Sequence, residues 1–115
     1  MLLKKNIEVI LNEITNEYKT LFGNALKAVY LYGSYARGDF DAESDIDIVG
    51  IVDENAMHKD INILNDDLIR FASDLGMRYD ILISPSIICY DRFIKYQYDL
   101  PYYRNIKSEG VVLSA

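Results

Sequence analysis

The sequence predicts an α+β fold, a mixed sheet with helices packed on it. Three observations carry that expectation. Two long stretches, Lys4–Phe22 and Met57–Leu75, repeat apolar residues at helical spacing. Short apolar runs stand between and after them, at Ala28–Tyr32, Asp45–Val52 and Met77–Ser84. A length of 115 residues supports one hydrophobic core, and so a single domain over residues 1–115.

Each element has its own signal. In the first helix, Leu3, Ile7, Ile10, Leu11, Ile14, Tyr18, Leu21 and Phe22 line one face, and Gly23-Asn24 supplies the stop. Ala28–Tyr32 is a short buried strand ending at Gly33. Tyr35–Gly38 has room for one helical turn beginning at the Gly-Ser pair. From Asp45 onward, alternation sets Asp45, Asp47, Val49 and Ile51 on one face and Ile46, Ile48 and Val52 on the other. Asp53-Glu54-Asn55 is capping material for the second long helix, whose inward residues are Ile61, Leu64, Leu68, Ala72 and Leu75, with Gly76 as its end. Met77–Ser84 is the third strand, Pro85 its edge or break, and Ile87-Ile88-Cys89 its extension. Asp91–Tyr96 and Pro101–Glu109 are short helices, the latter with Pro101 in its first turn and Gly110 after it. Val111-Val112-Leu113 is a last extended piece. This order suggests a sheet with helices on one face.

Composition narrows the function classes. A net charge of −6 argues against direct, nonspecific nucleic-acid binding, which needs Lys and Arg to neutralise phosphates. The one cysteine, Cys89, allows no internal disulfide and suits a reducing, cytoplasmic setting. No run approaches the roughly 20 apolar residues of a membrane span, and Met1–Asn6 is too interrupted for a signal peptide.

The chemistry concentrates in Gly33-Ser34, followed after ten residues by Asp45-x-Asp47. Two carboxylates one residue apart on a strand point the same way. Such a pair offers hard oxygen ligands to Mg2+, which is commonly held by a few carboxylates and the phosphate oxygens of a substrate. Gly33 permits a tight turn, and Ser34 adds a hydroxyl and an N–H. A helical turn starting there would aim free N–H groups at a phosphate, with Arg37 near enough to balance charge. Asp80, in the strand-like run Arg78–Ile83, is the candidate third carboxylate of a two-metal site. Asp39, Asp41 and Glu43 are expected to be a solvated loop, His58 a surface residue, and Cys89 a small buried hydrophobe. The C-terminal tyrosines Tyr90, Tyr96, Tyr98, Tyr102 and Tyr103 are expected to be packing, with a partner surface as the alternative.

These residues together resemble the minimal nucleotidyltransferase family of the DNA polymerase β superfamily. Gly33-Ser34-Tyr35-Ala36-Arg37-Gly38 is similar to its Gly-Ser-x-Ala-Arg-Gly form, and Ser44-Asp45-Ile46-Asp47 to its Ser-Asp-hydrophobic-Asp form. The ending Pro101–Leu113 resembles the tail of small members. The resemblance implies a polymerase β-like nucleotidyltransferase fold and an antitoxin that moves AMP from ATP to a tyrosine hydroxyl of a HEPN-domain toxin. By that likeness Gly33 and Ser34 hold the triphosphate, Asp45 and Asp47 bind Mg2+, and Asp80 holds the catalytic metal and helps deprotonate the acceptor. Arg37 assists with phosphate or acceptor. Nucleotidyl transfer to a small molecule such as an aminoglycoside, and a non-catalytic antitoxin that only covers its partner, remain open beside it, as does a homo-oligomer.

Overall fold

A computed structural model describes residues 2–41 and 43–115, with side chains from residue 6 onward; the apolar position at Leu3 lies outside the described side chains. The long helices are α1 (Leu2–Phe22) and α3 (Ile61–Tyr79), and the short ones are α2 (Ser34–Arg37), α4 (Tyr90–Tyr96) and α5 (Pro101–Glu109). The strands are β1 (Leu26–Tyr32), β2 (Ile46–Val52), β3 (Ile83–Cys89) and β4 (Val111–Ser114), in the sheet order β3-β2-β1-β4. β1 runs antiparallel to both β2 and β4, whereas β2 and β3 are parallel, so the sheet is mixed.

Helices cover both faces of this sheet, not the one expected. Ile10, Ile14 and Tyr18 of α1 and Leu64 and Leu68 of α3 bury Val29, Leu31, Ile46 and Ile48 on one side. Phe93 of α4 and Tyr103 and Ile106 of α5 bury Val49 and Ile51 on the other. The cause is β2 itself, which is apolar on both faces beyond Asp47 and needs a cover on each. Short amphipathic pieces such as α4 and α5 are enough to provide the second one.

Tyr18 ties the first cover to the sheet. Its hydroxyl donates to the Ser86 carbonyl (2.8 Å) and accepts from the Ser86 N–H (3.2 Å). The ring reaches this position because residue 50 is glycine: a Cβ there would come within 2.5 Å of the Tyr18 ring. Burial pushes the Tyr18 hydroxyl far above the ordinary phenol range, so it stays protonated and able to donate.

The third predicted strand is corrected at its start, and Pro85 does not break it: β3 runs from Ile83 through Pro85, paired with Ile48, to Cys89. α3 begins later than expected, at Ile61, where Asp60 caps it by accepting from the Asn62 N–H (2.8 Å). It also runs on through Gly76 to Tyr79, so Met77–Tyr79 is helix. Gly76 does not stop the helix. It lets the returning chain pass close, because its carbonyl accepts from the Ile81 N–H (2.9 Å) and a Cβ would collide with the Ile81 carbonyl. The left-handed turn falls four residues later, at Asp80 (φ +55°). Cys89 also departs from expectation: it is half-buried and its thiol meets the Glu54 carboxylate. Burial first, and then Glu54, push that thiol up to about 11. His58 is exposed, as expected.

Candidate active site

The site forms where β1 turns into α2 beside the start of β2. Gly33 leaves β1 with φ +76°, a conformation that strongly favours glycine. Its carbonyl accepts from the N–H groups of Ala36 and Arg37 (3.1 Å each), which starts α2 at Ser34. Gly38, also at positive φ (+84°), closes the turn by donating its N–H to the Ser34 carbonyl (2.9 Å). Tyr35 is the buried anchor of this turn, stacked on Phe40 with ring centroids 4.4 Å apart.

Asp47 is pressed against the turn. A Cβ on residue 33 would lie 2.5 Å from Asp47 Oδ2, so the carboxylate approaches the backbone at the one residue without a side chain. In the ladder, Asp47 faces Tyr32 on β1 and Ser84 on β3. Burial raises the Asp47 carboxyl above the ordinary range, the neighbouring Asp45 charge raises it further, and Arg37 pulls it partly back. Asp45 sits just before β2, and its charge, like that of Asp41, also acts on Tyr35. Arg37 is exposed and pairs with Asp39 (Nε–Oδ2 3.3 Å). The acidic loop is exposed and organised by Asp41, whose Oδ1 accepts from the Glu43 N–H (2.9 Å).

Five of the six sequence-predicted site residues therefore gather at one end of the sheet: Gly33, Ser34, Arg37, Asp45 and Asp47. Asp80 stands apart. It caps α3, is exposed, and lies outside any strand, so Ser84 and not Asp80 is the β3 neighbour of Asp47. Among the described residues, no three His, Cys, Asp or Glu side chains are placed to share a metal ion. Asp80 does border a small cavity of about 60 Å³ that Tyr35 also lines, and the rim of a separate cleft of about 500 Å³ between α3 and β3.

Two tyrosines at the site were not read as site residues from the sequence. Tyr32 and Tyr102, with Gly33 and Arg37, line a cleft of about 130 Å³ walled by α5. The Tyr102 hydroxyl donates to the Tyr32 hydroxyl (3.0 Å). Burial, then the Tyr102 contact, hold the Tyr32 phenol above its usual range. For Tyr32 a signal existed: the residue before the Gly-Ser turn must face the start of the next strand in an antiparallel pair. For Tyr102 there was none, because nothing local says which side of the sheet α5 covers.

A bipartite arrangement of this kind, a glycine-opened turn beside a strand-borne carboxylate pair, suits the handling of a nucleotide's phosphates. Comparison with known proteins agrees. A family model described as a nucleotidyltransferase domain matches residues 11–113, and the chain belongs to that family of enzymes. The chain is 41% identical over 86 residues to "Putative protein adenylyltransferase MJ0141" of Methanocaldococcus jannaschii, covering 75% of this chain and 81% of the relative. It is 32% identical over 108 residues to "Putative protein adenylyltransferase MJ0604" of the same organism, covering 94% and 98%. Among solved structures, a nucleotidyltransferase from Sulfolobus solfataricus, itself named as putative, superposes with TM-score 0.57 at 23% identity, covering 96% of this chain and 83% of that one. A toxin–antitoxin structure with AMP-PNP gives 0.51 at 25% identity, covering 85% and 70%. A tri-AMPylated Shewanella oneidensis HEPN toxin in complex with MNT antitoxin gives 0.52 at 22% identity, covering 92% and 70%. Among the described residues, no helix is long and apolar enough to cross a membrane.

Proposed function

We propose that this nucleotidyltransferase moves AMP from ATP to a tyrosine hydroxyl of a HEPN-domain partner, and so acts as the antitoxin of that partner. The observation that supports the reading most directly is the contact of Asp47 with the Gly33 backbone, which unites carboxylate and phosphate turn in one place. The names of the Methanocaldococcus relatives support protein as the acceptor, and the HEPN–MNT complex supports the kind of partner.

In this reading Gly33 and Ser34 bind the triphosphate through backbone N–H groups and the Ser34 hydroxyl, and Arg37 offsets its charge. Asp45 and Asp47 fit Mg2+: both are hard oxygen donors, and the Asp47 carboxyl, raised first by burial and then by the Asp45 charge, stands beside a like charge that a cation would offset. When bound, Mg2+ supplies charge neutralisation at the phosphates. The acceptor oxygen attacks the α-phosphorus and pyrophosphate leaves. Asp80 is the third carboxylate of the proposal. In the structure it caps α3 and does not form a three-carboxylate cluster with the other two.

The test is AMP transfer onto a co-expressed HEPN-domain partner, followed by mass spectrometry. The native chain is expected to add AMP to a partner tyrosine in a Mg2+-dependent way, and a chelator is expected to stop it. Addition of AMP to an aminoglycoside panel, with an unmodified partner, would replace the acceptor with a small molecule. Rescue from toxicity by a chain that transfers nothing would replace catalysis with occlusion.

A further inference from the structure

We infer that Tyr102, in the first turn of α5, is a site of self-adenylylation. The inference rests on the AMP-transfer reading above and extends it to the chain's own side chain. Tyr102 is 43% exposed, although its two neighbours in the α5 core, Tyr103 and Ile106, are buried. Those two fix the helix on the sheet and leave Tyr102 turned to the cleft that Gly33 and Arg37 line. Its hydroxyl donates to Tyr32 at 3.0 Å, and the two rings meet edge-on with centroids 5.7 Å apart. Tyr32 in turn faces Asp47 across the β1–β2 ladder. A phenol, the group this enzyme is proposed to modify, is thus held by the fold beside the phosphate turn and acidic pair. Holding acceptor and catalytic groups in one molecule removes the entropy cost of bringing them together.

The other tyrosines of this region sharpen the choice. Tyr103 is buried and its hydroxyl accepts from Arg92 Nε (2.8 Å). Tyr98 is more exposed than Tyr102, at 70%, but follows α4 and does not line the cleft. The step balances without a redox partner. The Tyr102 oxygen forms a bond to the α-phosphorus of ATP, the bond from that phosphorus to the bridging α–β oxygen breaks, and pyrophosphate leaves with the electron pair. The phenolic proton passes to buffer. The product carries AMP in the cleft at Gly33, where it competes with the next nucleotide.

The experiment incubates the full chain with ATP and Mg2+ and maps its peptides by mass spectrometry. In parallel, binding of α,β-methylene-ATP, which cannot release AMP, is measured by calorimetry. The expected result is one AMP on the peptide bearing Tyr102, none on Tyr98, and loss of the adduct in Tyr102→Phe but not in Tyr98→Phe. A chain that binds the analogue and modifies a HEPN partner yet leaves Tyr102 bare overturns the inference alone. AMP found only at other residues overturns it too. A chain that binds no nucleotide overturns both this inference and the proposed function.

Discussion

At Gly33 two constraints meet: a φ of +76° and a carboxylate oxygen 2.5 Å from where a Cβ would stand. Gly33→Ala is therefore expected to cost about 1–3 kcal/mol in thermal or urea unfolding, from backbone strain plus displacement of Asp47. It is also expected to abolish nucleotidyl transfer, whereas Gly38→Ala, which meets nothing within 4 Å, should cost only the strain. Asp47 makes the complementary prediction. Its carboxyl is raised in the fold, so its stabilising contribution is present below the unfolded value of about 4 and is lost as pH rises through the folded value. At neutral pH the charged group destabilises the metal-free chain. Asp47→Asn should then stabilise the chain at pH 7 without Mg2+, seen as a higher melting temperature, by less than about 1 kcal/mol because water screens a half-exposed group. The gain should shrink toward pH 4, and Mg2+ should stabilise the native chain but not the variant. Both residues were legible in the sequence, because a strand fixes the direction of alternate side chains and a Gly-Ser turn marks where the strand ends. Asp80 was not. A carboxylate in an apolar run looks the same whether it opens a strand or caps a helix, and here it takes the left-handed turn that ends α3.

The elements hold the site through the β2–β3 pair. Tyr18 reaches from α1 over Gly50 to the backbone of Ser86, two residues along β3 from the neighbour of Asp47. Removing that hydroxyl strands a part-buried N–H and carbonyl. Tyr18→Phe should cost about 1–2 kcal/mol in urea denaturation, with little change in the slope. Gly50→Ala should cost more, since the new methyl collides with a ring that fills the core. The two long helices were legible from periodicity, α2 from the Gly-Ser turn, and the short α5 from Pro101 and Gly110. What periodicity could not supply were the ends of α3, because Gly76 carries the same signal as a stop and as a close approach.

At the scale of the molecule, the two-sided cover of the sheet gives the site its shape. α1 and α3 secure one face, and α4 and α5 secure the face on which Asp47, Tyr32 and Tyr102 meet. The sequence predicted helices on one face only, since amphipathic spacing tells which side of a helix is apolar but not which side of a sheet receives it. The run Ile48–Val52, buried throughout, held that information in its lack of alternation. Gly33 and Arg37 line a cleft walled by α5, and in the proposed reading the acceptor enters there. Transfer of AMP from ATP to a HEPN-domain partner, compared between the native chain and the Asp45→Asn/Asp47→Asn double variant by mass spectrometry, tests this account most directly. The account predicts AMP on the partner with the native chain and none with the variant, whose fold is intact by circular dichroism. Equal labelling of the partner by both chains would contradict it.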